Sequence, residues 1–212
     1  MPSACRVAVL LVLTSLLIGC TPPNARGPLF VAIIVDSSAS IVEHEESILR
    51  YAKLALDEYC RAQPVHVAVI NLDEDPTVEF QKEGGFYEED IEEIVAHVEA
   101  IDKDARGTDI VSAFELAVRY YSYQKVEPSG LAILCFTDGH IDAPPGHAYR
   151  QWGEFDWQQL AALDAAVGVY FLDTDERVRA EVEEALRPIT KTVIKNENEA
   201  KDDLKWDEPA LP

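Results

Sequence analysis

The chain is short of positive charge. Against 39 Asp and Glu it carries only 18 Lys and Arg, a formal net charge of -21 over 212 residues. Such a surface repels the phosphate backbone of DNA or RNA and the headgroups of anionic lipids, so nucleic-acid binding and purely electrostatic membrane adhesion are both excluded. A long hydrophobic run is missing too. The apolar stretch at residues 7–19 (VAVLLVLTSLLIG) would span about 20 Å as a helix, against a hydrocarbon core of about 30 Å, which makes it a poor transmembrane segment. The sequence holds no G-x-S-x-G, H-E-x-x-H or G-x-x-x-x-G-K-[ST], and no internal repeat. What remains is an ordinary globular balance, 48% hydrophobic and 27% charged, of a length that suits one compact domain rather than two.

The apolar run follows Arg6 and ends in Leu17-Ile18-Gly19-Cys20. A basic start, a short apolar stretch and a cysteine resemble a bacterial lipoprotein signal, with residues 1–19 as the signal peptide. The resemblance implies cleavage before Cys20 and a lipid on its thiol; an uncleaved anchor or an ordinary secretory leader are the alternatives. Removing residues 1–19 leaves 17 basic and 39 acidic residues, a net charge of -22. Residues 20–28, the lipidated cysteine and the Pro-rich TPPNARGP, then form an extended tether. In the enterobacterial relatives of such signals an aspartate after the cysteine marks retention at the inner membrane. Thr21 stands there, which favours the outer membrane for this extracytoplasmic, lipid-anchored chain.

Residues 29–36 (LFVAIIVD) and 65–72 (VHVAVINL) are short, nearly continuous apolar runs rich in β-branched side chains, the pattern of buried strands. Between them Ile48, Ala52, Ala55, Leu56 and Tyr59 share one helical face. A strand at residues 77–81 follows so closely that it must return antiparallel, at the sheet edge. Ile91, Ile94, Val95, Val98 and Ile101 mark a second helix, and Ile110, Ala113, Phe114, Ala117, Val118 and Tyr121 a third. Strands at 131–136 and 167–172, a helix at 157–166, a helix near 175–187 and a strand at 192–195 complete the series, before an acidic, mobile tail at 196–212. Alternating strands and helices predict an α/β, doubly wound and mostly parallel sheet with helices on both faces.

In such sheets ligands bind beyond the carboxyl ends of the strands, where strand order reverses. Chain continuity and right-handed crossovers bring three loops to that end. They carry Asp36-Ser37-Ser38-Ala39-Ser40, Gly107-Thr108-Asp109 and Thr137-Asp138-Gly139. Carboxylates and hydroxyls without a His or Cys cluster suit a hard dication, Mg²⁺ or Mn²⁺, rather than zinc or copper.

The order D-x-S-x-S after the first strand, Thr in a G-T-D loop and Asp in a T-D-G after the fourth strand resembles the von Willebrand factor type A domain. The resemblance spans roughly residues 29–195. It implies a metal-ion-dependent adhesion site at Asp36, Ser38, Ser40, Thr108 and Asp138, and an extracytoplasmic protein ligand whose carboxylate completes the ion's shell. A dication in a focused cleft also reverses the local sign of a strongly acidic chain, so an acidic partner group is no longer repelled there.

Each motif has a plainer explanation. Ser40 and Glu43 match a capping box, Thr108 or Asp109 suit a helix cap, and Asp138-Gly139 suits a turn. Asp73, Glu74 and Asp75 form either a solvated hairpin turn or a second cation site. The long segment 140–155, with His140, His147, Tyr149, Arg150, Trp152 and Phe155, either contacts the ligand or packs the loop onto its own domain. Zinc at His140 and His147 lacks a third ligand. Cys60 and Cys135 fall near opposite sheet edges, which predicts two buried free thiols. An enzyme is disfavoured: the position two residues after Asp36, where a haloacid-dehalogenase-like phosphatase places a second Asp, is Ser38. The D-x-D at Asp173 and Asp175 lies away from the central crevice. Metal-assisted phosphoester hydrolysis and a structural lipoprotein with an inactive site are the alternatives to a binding module.

Overall fold

The computed structural model describes residues 27–62, 64–84, 88–125 and 127–196. Strand β1 (Leu29–Asp36) is followed by a short 3-10 turn (Ala39–His44), helix α1 (Glu45–Ala62), β2 (Val65–Leu72), β3 (Thr77–Gly84), α2 (Glu88–Glu99), α3 (Ile110–Ser122) and β4 (Gly130–Thr137). A second 3-10 turn (Trp152–Glu154), α4 (Trp157–Ala162), β5 (Ala166–Phe171), α5 (Glu176–Ala185) and β6 (Lys191–Asn196) complete the series among the described residues. The six strands form one sheet in the order β3-β2-β1-β4-β5-β6. All neighbours run parallel except β2 and β3, which pair antiparallel at the edge.

β1 and β4 are buried along their whole length, as strands covered on both faces must be. Successive side chains point to opposite faces. Leu29, Val31, Ile33 and Val35 meet the apolar stripe of α1 and α2, including Ile48, Leu56, Tyr59, Ile94 and Val98. Phe30, Ala32 and Ile34 meet α3 and the aromatic group of Phe114, Trp152, Phe155 and Trp157. The strand order reverses between β1 and β4, so the crevice predicted from topology opens at the carboxyl ends of the two most deeply buried strands.

Several boundaries differ from the sequence-based expectation. The helix predicted over 157–166 stops at Ala162, because Asp164 takes a left-handed conformation (φ 51°) and the amides of Asp164 and Ala165 turn back to Ala161 and Leu160. Strand β3 runs three residues past the predicted 81, extended by pairing to β2 as far as Val65 with Gly84. Asn196 is the last residue of β6 rather than the first of the tail, since it pairs with Phe171. The proposed signal peptide, Cys20, most of the tether and the tail beyond 196 lie outside the described residues, as does the side chain of Cys60. Cys135 is buried with a free thiol, held well above the usual thiol range by burial and by the charge of Asp36. Among the described residues no helix is long and apolar enough to cross a membrane.

Candidate metal centre

Asp36 ends β1 at the switch point and is fully buried. Its Oδ1 accepts the Ser38 amide at 2.9 Å and its Oδ2 accepts the Thr137 hydroxyl at 2.7 Å. Burial pushes its pKa up to about 6, against the opposing pull of the Ser38 amide and the Thr137 hydroxyl, and with a further push from the charge of Asp138. Among the described residues no Lys, Arg or His forms an ion pair with Asp36 or Asp138. A buried acid held beside a second acid, with no cation to offset either, carries an electrostatic cost that a bound dication would relieve.

From Asp36 the network continues through hydroxyls. Ser38 Oγ lies 2.9 Å from Ser40 Oγ, and Ser40 Oγ donates to Asp138 Oδ2 at 2.7 Å. The other oxygen of Asp138 accepts the His140 amide at 2.9 Å. Ser40 therefore does not open a helix as its capping-box spacing allowed. It sits inside the 3-10 turn, whose preceding residue Ser38 makes no side-chain cap, and its hydroxyl faces a residue 98 positions away. Thr108, almost fully buried, reaches the rim through its backbone: its amide donates to Asp142 O at 2.8 Å. Two more contacts hold its loop, Ala105 N to Ser37 O at 3.1 Å and Asp109 N to Asp73 O at 2.9 Å.

The structure thus joins Asp36, Ser38, Ser40 and Asp138 in one hydrogen-bonded cluster and anchors the loop of Thr108 beside it. The two carboxylates and two serine hydroxyls of this cluster are a hard-oxygen donor set that fits Mg²⁺ or Mn²⁺. Among the described residues no three His, Cys, Asp or Glu side chains are grouped to hold a metal, so any ion at this rim would depend on the hydroxyls as well as the acids.

The family model for the von Willebrand factor type A domain matches residues 31–140. The chain belongs to that family. Solved structures agree at the level of the fold. The chain is similar to the conserved hypothetical protein BatB from Bacteroides thetaiotaomicron (19% identity, 79% of this chain and 90% of that one, TM-score 0.58). It is also similar to an aerotolerance-related membrane protein from Bacteroides fragilis (18%, 83% and 96%, TM-score 0.55). A third similarity is to the vWF domain of the type V pili tip protein Mfa5 from Porphyromonas gingivalis (9%, 85% and 92%, TM-score 0.54). No curated protein sequence matches the chain.

Within this von Willebrand factor type A domain the segment 140–155 divides in two. Trp152 and Phe155, for which ligand contact and packing onto the domain stood as alternatives, are buried at 1% and 5% exposure, their rings set at steep angles to Phe114, with Trp152 stacked on Trp157 and Phe155 edge-on to it. Their rings fill the core between α3 and α5, so they are not on the outward face. His140, His147 and Arg150 are exposed and Tyr149 half-buried. Arg150 grips Glu115 of α3 with two bonds, 2.5 and 2.8 Å, and Tyr149 donates to Glu74 O at 3.2 Å.

Three other acids at this rim have structural duties. Asp109 caps α3, accepting the Ser112 amide and hydroxyl. Asp175 caps α5 through the Val178 amide, which holds its carboxyl below the usual range. Asp73 turns the hairpin by accepting the Asp75 amide at 2.8 Å. Thr137 was visible in sequence only as part of T-D-G. In the structure it ties the two acidic loops together, donating to Asp36 and accepting the Gly139 amide at 2.9 Å. The Asp142 carbonyl, which holds Thr108, has no sequence signal, because any residue supplies a carbonyl.

Proposed function

We propose that this domain is a binding module, not an enzyme, that holds Mg²⁺ or Mn²⁺ at Asp36, Ser38, Ser40, Thr108 and Asp138 and recognises an extracytoplasmic protein ligand. The observation that carries it is the buried, hydroxyl-wrapped pair of acids at the switch point, with no ion-paired Lys, Arg or His among the described residues to neutralise them. Mg²⁺ requires six oxygens in near-octahedral array and sheds water reluctantly. A shell drawn partly from neutral hydroxyls leaves a bound ion able to attract one more anionic oxygen, and an Asp or Glu side chain of the partner is the natural source. The residues of this chain supply orientation: Thr137 and the Ser38 amide fix the Asp36 carboxylate, while Ser40 and the His140 amide fix that of Asp138.

The chain is, on this reading, a lipoprotein of the bacterial envelope, with residues 1–19 as signal, Cys20 lipidated, 20–28 as tether, the domain over 29–196, its last strand ending at Asn196, and an acidic tail beyond. The domain begins at the amino end of β1, where Pro28 O accepts the Ser129 amide. The proposed site lies at the other end of the same strand. It therefore faces away from the membrane that holds the anchor, toward a soluble or opposing protein. Photo-cross-links from a probe on Ser38→Cys should go to protein; links mainly to lipid would refute that orientation.

Capture of partners from an envelope extract, with and without chelator, tests the function. Retention that requires Mg²⁺ and is lost in Asp36→Ala supports it. Equal retention in chelator, or phosphoester turnover abolished by Asp36→Ala, would overturn it. In purified protein, a melting temperature that rises with Mg²⁺ tests the ion alone, since a ligand bound only by the native state stabilises it by mass action.

A further inference from the structure

The segment between Gly139 and Trp152 is a loop with its ends tied together. The indole N–H of buried Trp152 donates to Gly139 O at 3.0 Å, so the chain leaves the Asp138 turn and returns to it within 13 residues, the form of an Ω-loop. Between these ends it is fastened to three other elements. Asp142 O holds the Thr108 amide at 2.8 Å, Tyr149 holds Glu74 O in the β2–β3 turn, and Arg150 holds Glu115 on α3. The fit against the Thr108 loop is close. A Cβ on Gly107 would stand 2.9 Å from Asp142 O, 2.9 Å from the Pro144 ring and 3.1 Å from Glu74. The nearest of these is backbone and the second a proline ring, neither of which can swing away as a flexible side chain does. Only a residue without a side chain admits this contact.

We propose that residues 140–151 form a clamp that positions Thr108 relative to Asp138, with Gly107 as the residue that lets the clamp close. The proposal rests on the cation site above. It assigns the segment the role of fixing one hydroxyl against one carboxylate: the loop starts at Asp138, and its first fastening is the Thr108 amide. Gly107 and Tyr149 act as positioning residues and contact no ligand.

The test is Mg²⁺ affinity by calorimetry in wild type, Gly107→Ala, Tyr149→Phe, Thr108→Val and the two double variants with Thr108→Val, with each melting temperature taken in chelator. Gly107→Ala should weaken Mg²⁺ about tenfold or more, within the range for residues that orient metal ligands, and Tyr149→Phe by less. In the Thr108→Val background both should cost nothing further, because a residue that acts through Thr108 cannot act once that hydroxyl is gone. Gly153→Ala, whose Cβ meets nothing within 4 Å, is the control. If Gly107→Ala fails to fold, the Tyr149→Phe cycle decides. Losses that add in the double variants, or wild-type affinity in both single variants, overturn the clamp alone. Absence of Mg²⁺ binding by wild type overturns the cation site and the clamp with it.

Discussion

Two groups of acids share the carboxyl end of the sheet and behave differently. Asp36 and Asp138 are buried, spaced by two serine hydroxyls and a threonine, and the first has its pKa raised to about 6. Asp73, Glu74 and Asp75 stand at the tip of a hairpin, half-buried or exposed, beside a cleft of about 330 Å³ that they share with Asp104, Ala105 and Arg106. Asp73 is also raised by burial, but its carboxylate is spent on the turn itself, accepting the Asp75 amide and the Asn71 side chain. Charge count alone would rank the hairpin first. Burial and neutral donors, which decide how much a cation gains on arrival, rank the inner pair first.

The largest expected effect is on ion binding. Asp36→Ala or Asp138→Ala should abolish the Mg²⁺-dependent rise in melting temperature, which in wild type corresponds to about 2.7 kcal/mol at a hundredfold excess over Kd. The triple substitution Asp73→Asn, Glu74→Gln, Asp75→Asn should leave that rise in place. The reverse pattern would mean that the hairpin, not the inner pair, holds the ion.

Next is the pH dependence of the ion-free protein. A folded-state pKa near 6 against an ordinary 3.8 means that the folded chain binds the Asp36 proton more tightly than the unfolded chain. Asp36 therefore costs stability progressively as pH rises from about 4 to about 6, by up to about 3 kcal/mol. Asp36→Asn should flatten this part of the profile, read as the difference between the two proteins' denaturant midpoints across that window. Identical profiles would show that Asp36 is not strained.

A smaller effect attaches to the hydroxyl link. Ser40→Ala removes the donor to Asp138 and one proposed ligand, and should weaken Mg²⁺ about tenfold while changing stability in chelator by about 1 kcal/mol. The smallest belongs to the hairpin. Asp73→Asn should lower stability by no more than about 1 kcal/mol, with unchanged Mg²⁺ titration, since only the turn bonds are weakened. A larger drop in Mg²⁺ affinity than in Ser40→Ala would invert the ranking.

The chain's own pattern carried most of the fold. Continuous apolar runs of eight residues, too short for a typical helix and rich in β-branched side chains, read as strands covered on both faces, and the short link at Asp73 to Pro76 forbids a parallel return. With crossover handedness these place Asp36, Thr108 and Asp138 at one end. The boundary at Ala162 was not legible, because it depends on Asp164 adopting a left-handed conformation that periodicity cannot register. Trp152 and Phe155 were ambiguous for a related reason. An aromatic in a long loop has no period to show whether it faces water or Phe114.

The sequence by itself determined which chemistry is available at the rim: hard oxygens from five residues, in the order of a von Willebrand factor type A domain. Tertiary structure alone decided how those oxygens are held. Ser40 is turned from a helix start to a bridge onto Asp138, Thr137 is set across the two acidic loops, and Thr108 is fastened by a carbonyl from residue 142. The physical reason is that residue types fix what a side chain can donate or accept. The partner it finds 98 or 101 positions away depends on a buried sheet whose packing no local pattern encodes.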